Sequence, residues 1–162
     1  MNKKTVVFQG TFDPFTLGHL YIVQDALAVF DKVIILLLVN PDKKPLFSLE
    51  ERKEMILSSV EGLSGVEVDS YSGLLVEYMK EHGLHICVRG IRNEQDWIYE
   101  IKNHSLSKSL YPQLQTVFLS CSATASHISS SALKQACQDG KIPSKWVPFP
   151  VEQALTKKII RS

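Results

Sequence analysis

The stretch from Gly10 to His19, which reads Gly-Thr-Phe-Asp-Pro-Phe-Thr-Leu-Gly-His, constrains the fold more than any other part of this chain. It follows a short β-branched and aromatic run, residues 5–8, and precedes residues 20–30, where apolar side chains recur with helical spacing. The stretch is therefore predicted to connect a buried strand to a helix. In a parallel α/β sheet such a connection lies at the carboxyl end of the strand, where ligands bind.

Two side chains of this connection have the chemistry to act on an anion. Thr16 is predicted to cap the helix, whose first N–H groups are free to bind negative charge. Thr16 and His19 are three residues apart, so we expect the hydroxyl and the imidazole on one face of the first turn. The structural alternative is that the turn is an ordinary one and that His19 is a surface residue.

Strand-like and helix-like segments alternate along the rest of the chain. Further strands are predicted at residues 33–39, 66–69, 85–88 and 116–119. Helices are predicted from a capping box at Ser48, then at residues 74–82, 96–110 and 129–140, and finally where Val151, Leu155 and Ile159 form a stripe. The pattern predicts a single α/β domain over residues 1–162, built on a doubly wound, five-stranded parallel sheet.

Polar clusters follow four of these strands and would meet on one rim of the sheet. They are the Gly10–His19 stretch, Lys43 with Lys44, Arg89 with Arg92, and Ser129 to Ser131. Taken singly, each could be solvated surface or a helix cap. Together, cations and helix-opening hydroxyls on one rim favour a ligand with several phosphates.

Composition excludes several other classes of function. With a net charge of +1 and no apolar run long enough to span a bilayer, the chain is expected to bind neither nucleic acid nor membrane. The apolar run near its N-terminus is short and lacks a cleavage pattern, so no secretory signal is expected. The three cysteines form no C-x-x-C pair, and no histidine spacing typical of metal sites occurs, so neither a disulfide scaffold nor a zinc site is expected. The chain has no G-x-S-x-G elbow, which argues against a serine hydrolase, and no G-x-x-x-x-G-K-[ST] loop, which argues against a P-loop kinase.

The motifs together resemble the bacterial phosphopantetheine adenylyltransferase family, part of the nucleotidyltransferase superfamily with the H/T-x-G-H signature. The matching segments are Gly10–Pro14, Thr16–His19, Lys43–Arg52, Arg89–Arg92, Asp96–Glu100 and Ile128–Ser131. The resemblance implies a Rossmann-like nucleotidyltransferase fold. It also implies an enzyme of coenzyme A biosynthesis that transfers the adenylyl group of ATP to 4′-phosphopantetheine, giving dephospho-coenzyme A and pyrophosphate.

The same resemblance implies roles for individual residues. Catalysis would involve Thr11, His19, Lys43 and Arg92. Phosphopantetheine would contact Thr11, Lys43, Leu75 and Arg89. ATP would contact Thr11, Phe12, His19, Gly90, Ile91, Arg92, Glu100, Ala125, Ser126, His127, Ile128, Ser129, Ser130 and Ser131. Mg²⁺ would be held by the ATP phosphates rather than by protein side chains, and the protein would be a cytoplasmic homohexamer inhibited by coenzyme A.

The sequence departs from the family pattern in two places. Gln9 stands where the family usually has proline, and residues 121–125 lack the usual aromatic residue near adenine. We expect that a tyrosine at Ala125 would be accommodated, and that Lys44 points away from the phosphate that Lys43 binds. Two alternatives remain: a sister enzyme acting on nicotinate mononucleotide or glycerol phosphate, and a nucleotide-binding module without catalysis.

Overall fold

The computed structural model describes residues 4–42 and 44–160, with only the backbone of residues 159 and 160. In this part of the chain five strands and six α-helices alternate. The strands are β1 (Thr5–Gly10), β2 (Lys32–Leu38), β3 (Val66–Tyr71), β4 (Ile86–Ile91) and β5 (Gln115–Ser120). The helices are α1 (Leu17–Leu27), α2 (Leu49–Ser59), α3 (Leu75–Glu81), α4 (Glu94–Leu110), α5 (Ser130–Gln138) and α6 (Phe149–Ile160), with a short 3₁₀ turn at Ser144–Trp146. The predicted alternation is confirmed.

The helix ends follow from local hydrogen bonds. The hydroxyl of Ser48 accepts from the Glu51 amide at 3.1 Å, and the Glu51 carboxylate accepts from the Ser48 amide at 2.7 Å, which is the predicted capping box. Thr16 caps α1, so this helix begins at Leu17 rather than at residue 20, where the apolar pattern starts. In α6, Val151 and Leu155 are buried as predicted, while the side chain of Ile159 lies outside the described residues.

The sheet is entirely parallel, with strand order β3-β2-β1-β4-β5. Strand β1 pairs with β2 along its whole length, up to Gly10 beside Leu37. It pairs with β4 only at two positions, of which the second joins Phe8 and Val88. Beyond this position both strands continue without pairing. A crevice therefore opens between their carboxyl ends, at the point where the strand order reverses.

Both faces of the sheet are covered, as the prediction of a doubly wound sheet requires. Successive side chains of a strand point to opposite faces. Val6 and Phe8 accordingly pack in one apolar cluster with residues of α1, α2 and α6. Val7 lies in a second cluster, which includes Met79 of α3. This two-sided burial explains why β1 and β2 read as continuous apolar runs.

Helix α4 is the one described α-helix on which a large apolar surface stays uncovered, and none of its residues is buried. Its exposed large apolar side chains are Trp97, Ile98, Tyr99, Ile101, Leu106 and Leu110. We call this set the α4 apolar face. No helix in the described ranges is long and apolar enough to cross a membrane.

Candidate active site

A cleft of about 400 Å³ occupies the crevice between the ends of β1 and β4. It gathers residues of all four polar clusters that follow the strands. They are Thr11, Phe12, His19, Lys44, Arg89, Gly90, Arg92, Ser129, Ser130 and Ser131. Lys44 lies in the cleft wall, and the expected difference between its role and that of Lys43 stays a prediction. Lys43 lies outside the described residues. A second groove of about 550 Å³, next to Phe47 and Pro150, contains none of the predicted site residues.

The hydrogen bonds of His19 fix which ring nitrogen carries its proton. The backbone N–H of Thr16 donates to Nδ1 of His19 at 3.0 Å, and the Thr16 hydroxyl lies 3.1 Å from the same nitrogen. An atom that accepts an N–H bond carries no proton in the neutral ring, so the proton is on Nε2. The prediction that Thr16 and His19 share one face of the first turn is confirmed, and their hydrogen bonding goes beyond it. This bonding leaves Nε2–H, on the far side of the ring, as a donor for a ligand.

The surroundings of His19 keep its ring uncharged. Its centroid lies 5.0 Å from that of Phe12, 5.5 Å from that of Phe15 and 6.2 Å from that of Phe8. Desolvation among these rings, and secondarily the positive charge of Arg92, lower the pKa of His19 from its ordinary value of 6.5 to about 4. At neutral pH the site therefore presents a neutral hydrogen-bond donor.

The buried carboxylate of Asp13 ties three segments of the site together. It accepts from the backbone amides of Leu46 at 2.8 Å and Phe47 at 3.0 Å, and it lies 3.2 Å from the ammonium of Lys134 on α5. The side chain is only 4% exposed, so these three donors replace the water that the charge has lost. The loop after β2, the start of α1 and helix α5 are thus held in one arrangement.

The serines that open α5 have distinct tasks. Ser129 is the N-cap, and its hydroxyl accepts from the Ala132 amide at 3.1 Å. The Ser130 hydroxyl donates to the carbonyl of Pro14 at 2.8 Å and so joins α5 to the loop before α1. Two helix N-termini therefore face one cleft, and both favour bound negative charge.

Two arginines at the carboxyl end of β4, Arg89 inside the strand and Arg92 directly after it, are held by different acceptors. Arg92 pairs with Asp96 through two side-chain hydrogen bonds of 2.8 and 3.0 Å, and this contact lowers the pKa of Asp96. The Nε atom of Arg89 lies 3.3 Å from Oε2 of Glu100. The terminal nitrogens of Arg89 meet the side chain of Gln9, whose amide oxygen accepts from both when the amide is oriented to match its neighbours.

Two glycines allow the cleft walls to pack closely. A Cβ atom at Gly10 would lie 3.0 Å from the ring of Phe12, and one at Gly90 would lie 3.0 Å from the side chain of Ile22. Both distances are shorter than ordinary contacts, so a side chain at either position would displace an apolar wall residue. Phe12 itself has a φ of +47°, an uncommon conformation for a residue other than glycine, and is 3% exposed.

Some predicted site residues lie away from the cleft wall. Leu75 borders a small neighbouring cavity that also touches Arg89 and Glu100. The wall of the 400 Å³ cleft includes Glu100, Ala125 and Ile128, but not Ile91, Ser126 or His127, and the ring of His127 contacts Trp146 instead. The roles inferred for these residues stay predictions.

Ala125 is 1% exposed and belongs to the cleft wall, so a tyrosine there would need space from neighbouring groups or from the cleft. The expected effect of Ala125→Tyr on ATP affinity stays a prediction.

Sequence reasoning missed several residues that line the cleft. They are Gln9, Asp13, Asp96, Cys121 and Lys134. Asp96 stands four residues after Arg92, a spacing that favours an ion pair at the start of a helix. The sequence therefore contained a signal for the Arg92–Asp96 pair. The contact between Asp13 and Lys134 joins residues 121 positions apart, and no local pattern indicates it.

Of the three described carboxylates in the cleft wall, Asp13, Asp96 and Glu100, the first two are poorly suited to hold a metal ion because donor groups already engage them. Asp13 is engaged by three donors and Asp96 by Arg92. Within residues 4–42 and 44–160, no three His, Cys, Asp or Glu side chains converge as a metal site.

Comparison with known proteins first defines the class. The sequence model of the family described as cytidylyltransferase-like matches residues 7–136, which include every part of the cleft. A solved structure with the same fold is a bifunctional NMN adenylyltransferase/ADP ribose pyrophosphatase from Francisella tularensis, with a TM-score of 0.73 and 20% sequence identity. The match covers 96% of this chain, which spans about half (49%) of that structure's length. The chain is thus a nucleotidyltransferase of the Rossmann-like fold.

More similar relatives narrow the class. The phosphopantetheine adenylyltransferase of Thermotoga neapolitana is 42% identical over 153 residues, covering 94% of this chain and 95% of its own length. That of Clostridium tetani is 43% identical over 152 residues, covering 94% and 95%. The chain belongs to the phosphopantetheine adenylyltransferase family.

The pKa of His19 can be measured directly by NMR. We expect the imidazole resonance that disappears in His19→Asn to titrate with a midpoint of about 4. In Arg92→Gln the midpoint should rise but stay below 6.5, because desolvation is the larger cause. The sign for stability follows: the unfolded chain binds the proton more tightly, so the free energy of unfolding should fall as the pH drops from 6.5 to 4. A midpoint near 6.5 in the parent would contradict this account.

Proposed function

We propose that this protein transfers the adenylyl group of ATP to 4′-phosphopantetheine, giving dephospho-coenzyme A and pyrophosphate. Membership of the phosphopantetheine adenylyltransferase family supports the reaction. The observation that carries it is the convergence, in one crevice, of the Nε2–H of His19, two helix N-termini and the cations Lys44, Arg89 and Arg92. This is a set of groups suited to two substrates that both bear phosphate.

The two substrates would occupy different sides of the crevice. Phosphopantetheine would contact Thr11, Lys43, Leu75 and Arg89. Leu75 and Arg89 border the same small cavity, so these two proposed contacts lie next to each other on the α3 side of the sheet. ATP would lie against His19, Arg92 and the start of α5, where N–H groups and hydroxyls suit a triphosphate.

Chemistry in this arrangement needs no covalent intermediate. A phosphate oxygen of phosphopantetheine attacks the α-phosphorus of ATP and forms a P–O bond. The bond from that phosphorus to the oxygen bridging to the β-phosphate breaks, and its electron pair leaves with pyrophosphate. The attacking group is already anionic, so the protein has to position both substrates and stabilise charge rather than remove a proton.

His19 would stabilise the charge that grows on the α-phosphate. Because Thr16 occupies Nδ1, the only N–H that the ring can offer is Nε2–H. Lys43 would contribute charge to the same region, and Arg92 would bind the leaving pyrophosphate side. The side chain of Arg92 must exchange at least part of its pairing with Asp96 for phosphate oxygens.

Mg²⁺ is proposed to enter with ATP and to be held by its phosphates. The engaged state of Asp13 and Asp96 supports this division, because neither carboxylate is free to bind a metal in the arrangement observed. When bound, the ion would neutralise phosphate charge and hold the triphosphate in one conformation.

The family resemblance further suggests a cytoplasmic homohexamer that coenzyme A inhibits. The α4 apolar face supports assembly, because several large exposed apolar side chains on one helix commonly mark a protein interface. Light scattering should then give six chain masses in the parent. Replacing Ile98 on this face with Glu should lower the mass, whereas Leu57→Glu, at an exposed position on α2, should not. A monomeric parent would contradict the proposed assembly.

The reaction itself is tested by pyrophosphate release. With ATP and Mg²⁺, we expect turnover with 4′-phosphopantetheine and little with nicotinate mononucleotide or glycerol 3-phosphate. Preference for either of the latter acceptors would assign the chain to a sister activity. Tight ATP binding with no turnover on any acceptor would identify a nucleotide-binding module instead.

The proposed catalytic role of His19 can be tested separately from its structural role. Asparagine can place an acceptor near the position of Nδ1, so His19→Asn should keep the bond from Thr16 but lose the Nε2–H donor. We expect kcat to fall about 100-fold or more, with ATP affinity by calorimetry nearly unchanged, because the lost bond forms mainly in the transition state. His19→Ala should lose both bonds and also some stability, while His82→Asn on α3's end should retain parental kcat. A kcat within a few-fold of the parent in His19→Asn would overturn the catalytic role.

A further inference from the structure

We propose that Gln9 is a positioning residue that holds the guanidinium of Arg89 ready for the phosphate of the acceptor substrate. The proposal rests on the proposed function, since it assigns Arg89 to that substrate. The first observation behind it is that β1 and β4 stop pairing before their carboxyl ends, and the cleft lies between these unpaired ends.

Strand register brings Gln9 and Arg89 side by side. Val7 pairs with Cys87 across the β1–β4 ladder, so the positions two residues further along each strand, Gln9 and Arg89, are opposite one another and on the same face. The ladder ends at Phe8 and Val88, and the crevice begins there. At the mouth of the crevice, the side-chain contact of Gln9 with Arg89 takes the place of backbone hydrogen bonds.

Arg89 has a second neighbour that competes for it. Its Nε atom forms an ion pair of 3.3 Å with Oε2 of Glu100, but this contact is not aligned as a hydrogen bond. Among the described residues nothing donates a hydrogen bond to this buried oxygen. A buried carboxylate oxygen without a donor is costly, so a free guanidinium would turn toward Glu100 and form a two-bond pair.

The amide oxygen of Gln9 prevents that turn. It accepts from both terminal nitrogens of Arg89 and holds the end of the guanidinium away from Glu100. Each terminal nitrogen keeps a second N–H for a substrate oxygen. Because an amide is neutral, Gln9 fixes the guanidinium without offsetting its charge. Arg92, by contrast, is held by the carboxylate of Asp96.

The contact also places Gln9 between two parts of the site. Arg89 and Glu100 belong both to the 400 Å³ cleft and to the small cavity beside Leu75. Gln9 borders the cleft where the two meet. A change at Gln9 is therefore expected to affect the acceptor substrate and not the nucleotide.

The test is a double-mutant cycle between Gln9 and Glu100. Gln9→Leu should raise the KM and the calorimetric Kd for 4′-phosphopantetheine about ten-fold, because a hydrogen bond to a charged group is lost. The KM for ATP and the melting temperature should change little. In the Glu100→Gln background, where no carboxylate competes for Arg89, the same substitution should have a clearly smaller effect.

Equal effects of Gln9→Leu in both backgrounds would mean that Gln9 only fills space, and would overturn the proposal. Gln9→Glu provides a second variant, because its carboxylate can still accept from Arg89. It should also raise the KM for 4′-phosphopantetheine, by offsetting the charge of Arg89, and an unchanged KM in both single variants would refute the role of Gln9. A parent without pyrophosphate release would instead refute the proposed function, so the two failures are distinguishable.

Discussion

The carboxylate of Asp13 is the interaction on which the geometry of the cleft depends. It is buried at the start of the connection between β1 and α1, and it binds the backbone of the loop after β2 and the ammonium of Lys134. A charge in this position is tolerated only while all its donors are present. The loop that carries Lys44 and the helix that begins with the three serines are consequently fixed relative to the strand end. The cleft is thus built before any ligand enters it.

Local patterns were sufficient for most of the fold. The β-branched runs of β1 and β2, the capping box at Ser48 and the cap at Thr16 each encode their structure within a few residues, and the structure confirms them. The alternation of strand and helix then leaves few arrangements other than a parallel sheet. Helix α4 shows the limit of such reasoning. Its apolar residues mark a helix, but nothing local shows that the fold leaves them exposed.

The site was predictable in part for the same reason. Thr16 and His19 share a helical turn, so their spacing was enough to place them on one face. The prediction that the four polar clusters lie close together required only the rule that the carboxyl ends of parallel strands lie on one edge of the sheet. By contrast, the Gln9–Arg89 contact depends on where the β1–β4 ladder stops, and the Asp13–Lys134 contact joins distant parts of the chain. Such features are set by tertiary packing, which a single sequence does not display.

The pairing of Arg92 with Asp96 also bears on which anions the cleft admits. A chloride ion carries no more charge than the Asp96 carboxylate and makes only one point of contact, so it gains nothing by displacing a partner that already binds with two oxygens. A polyphosphate offers several oxygens and more than one charge. The helix N-termini nearby also bind negative charge, so they stabilise a polyphosphate that replaces Asp96 at Arg92. The ion pair therefore favours multiply charged ligands over small single anions at Arg92.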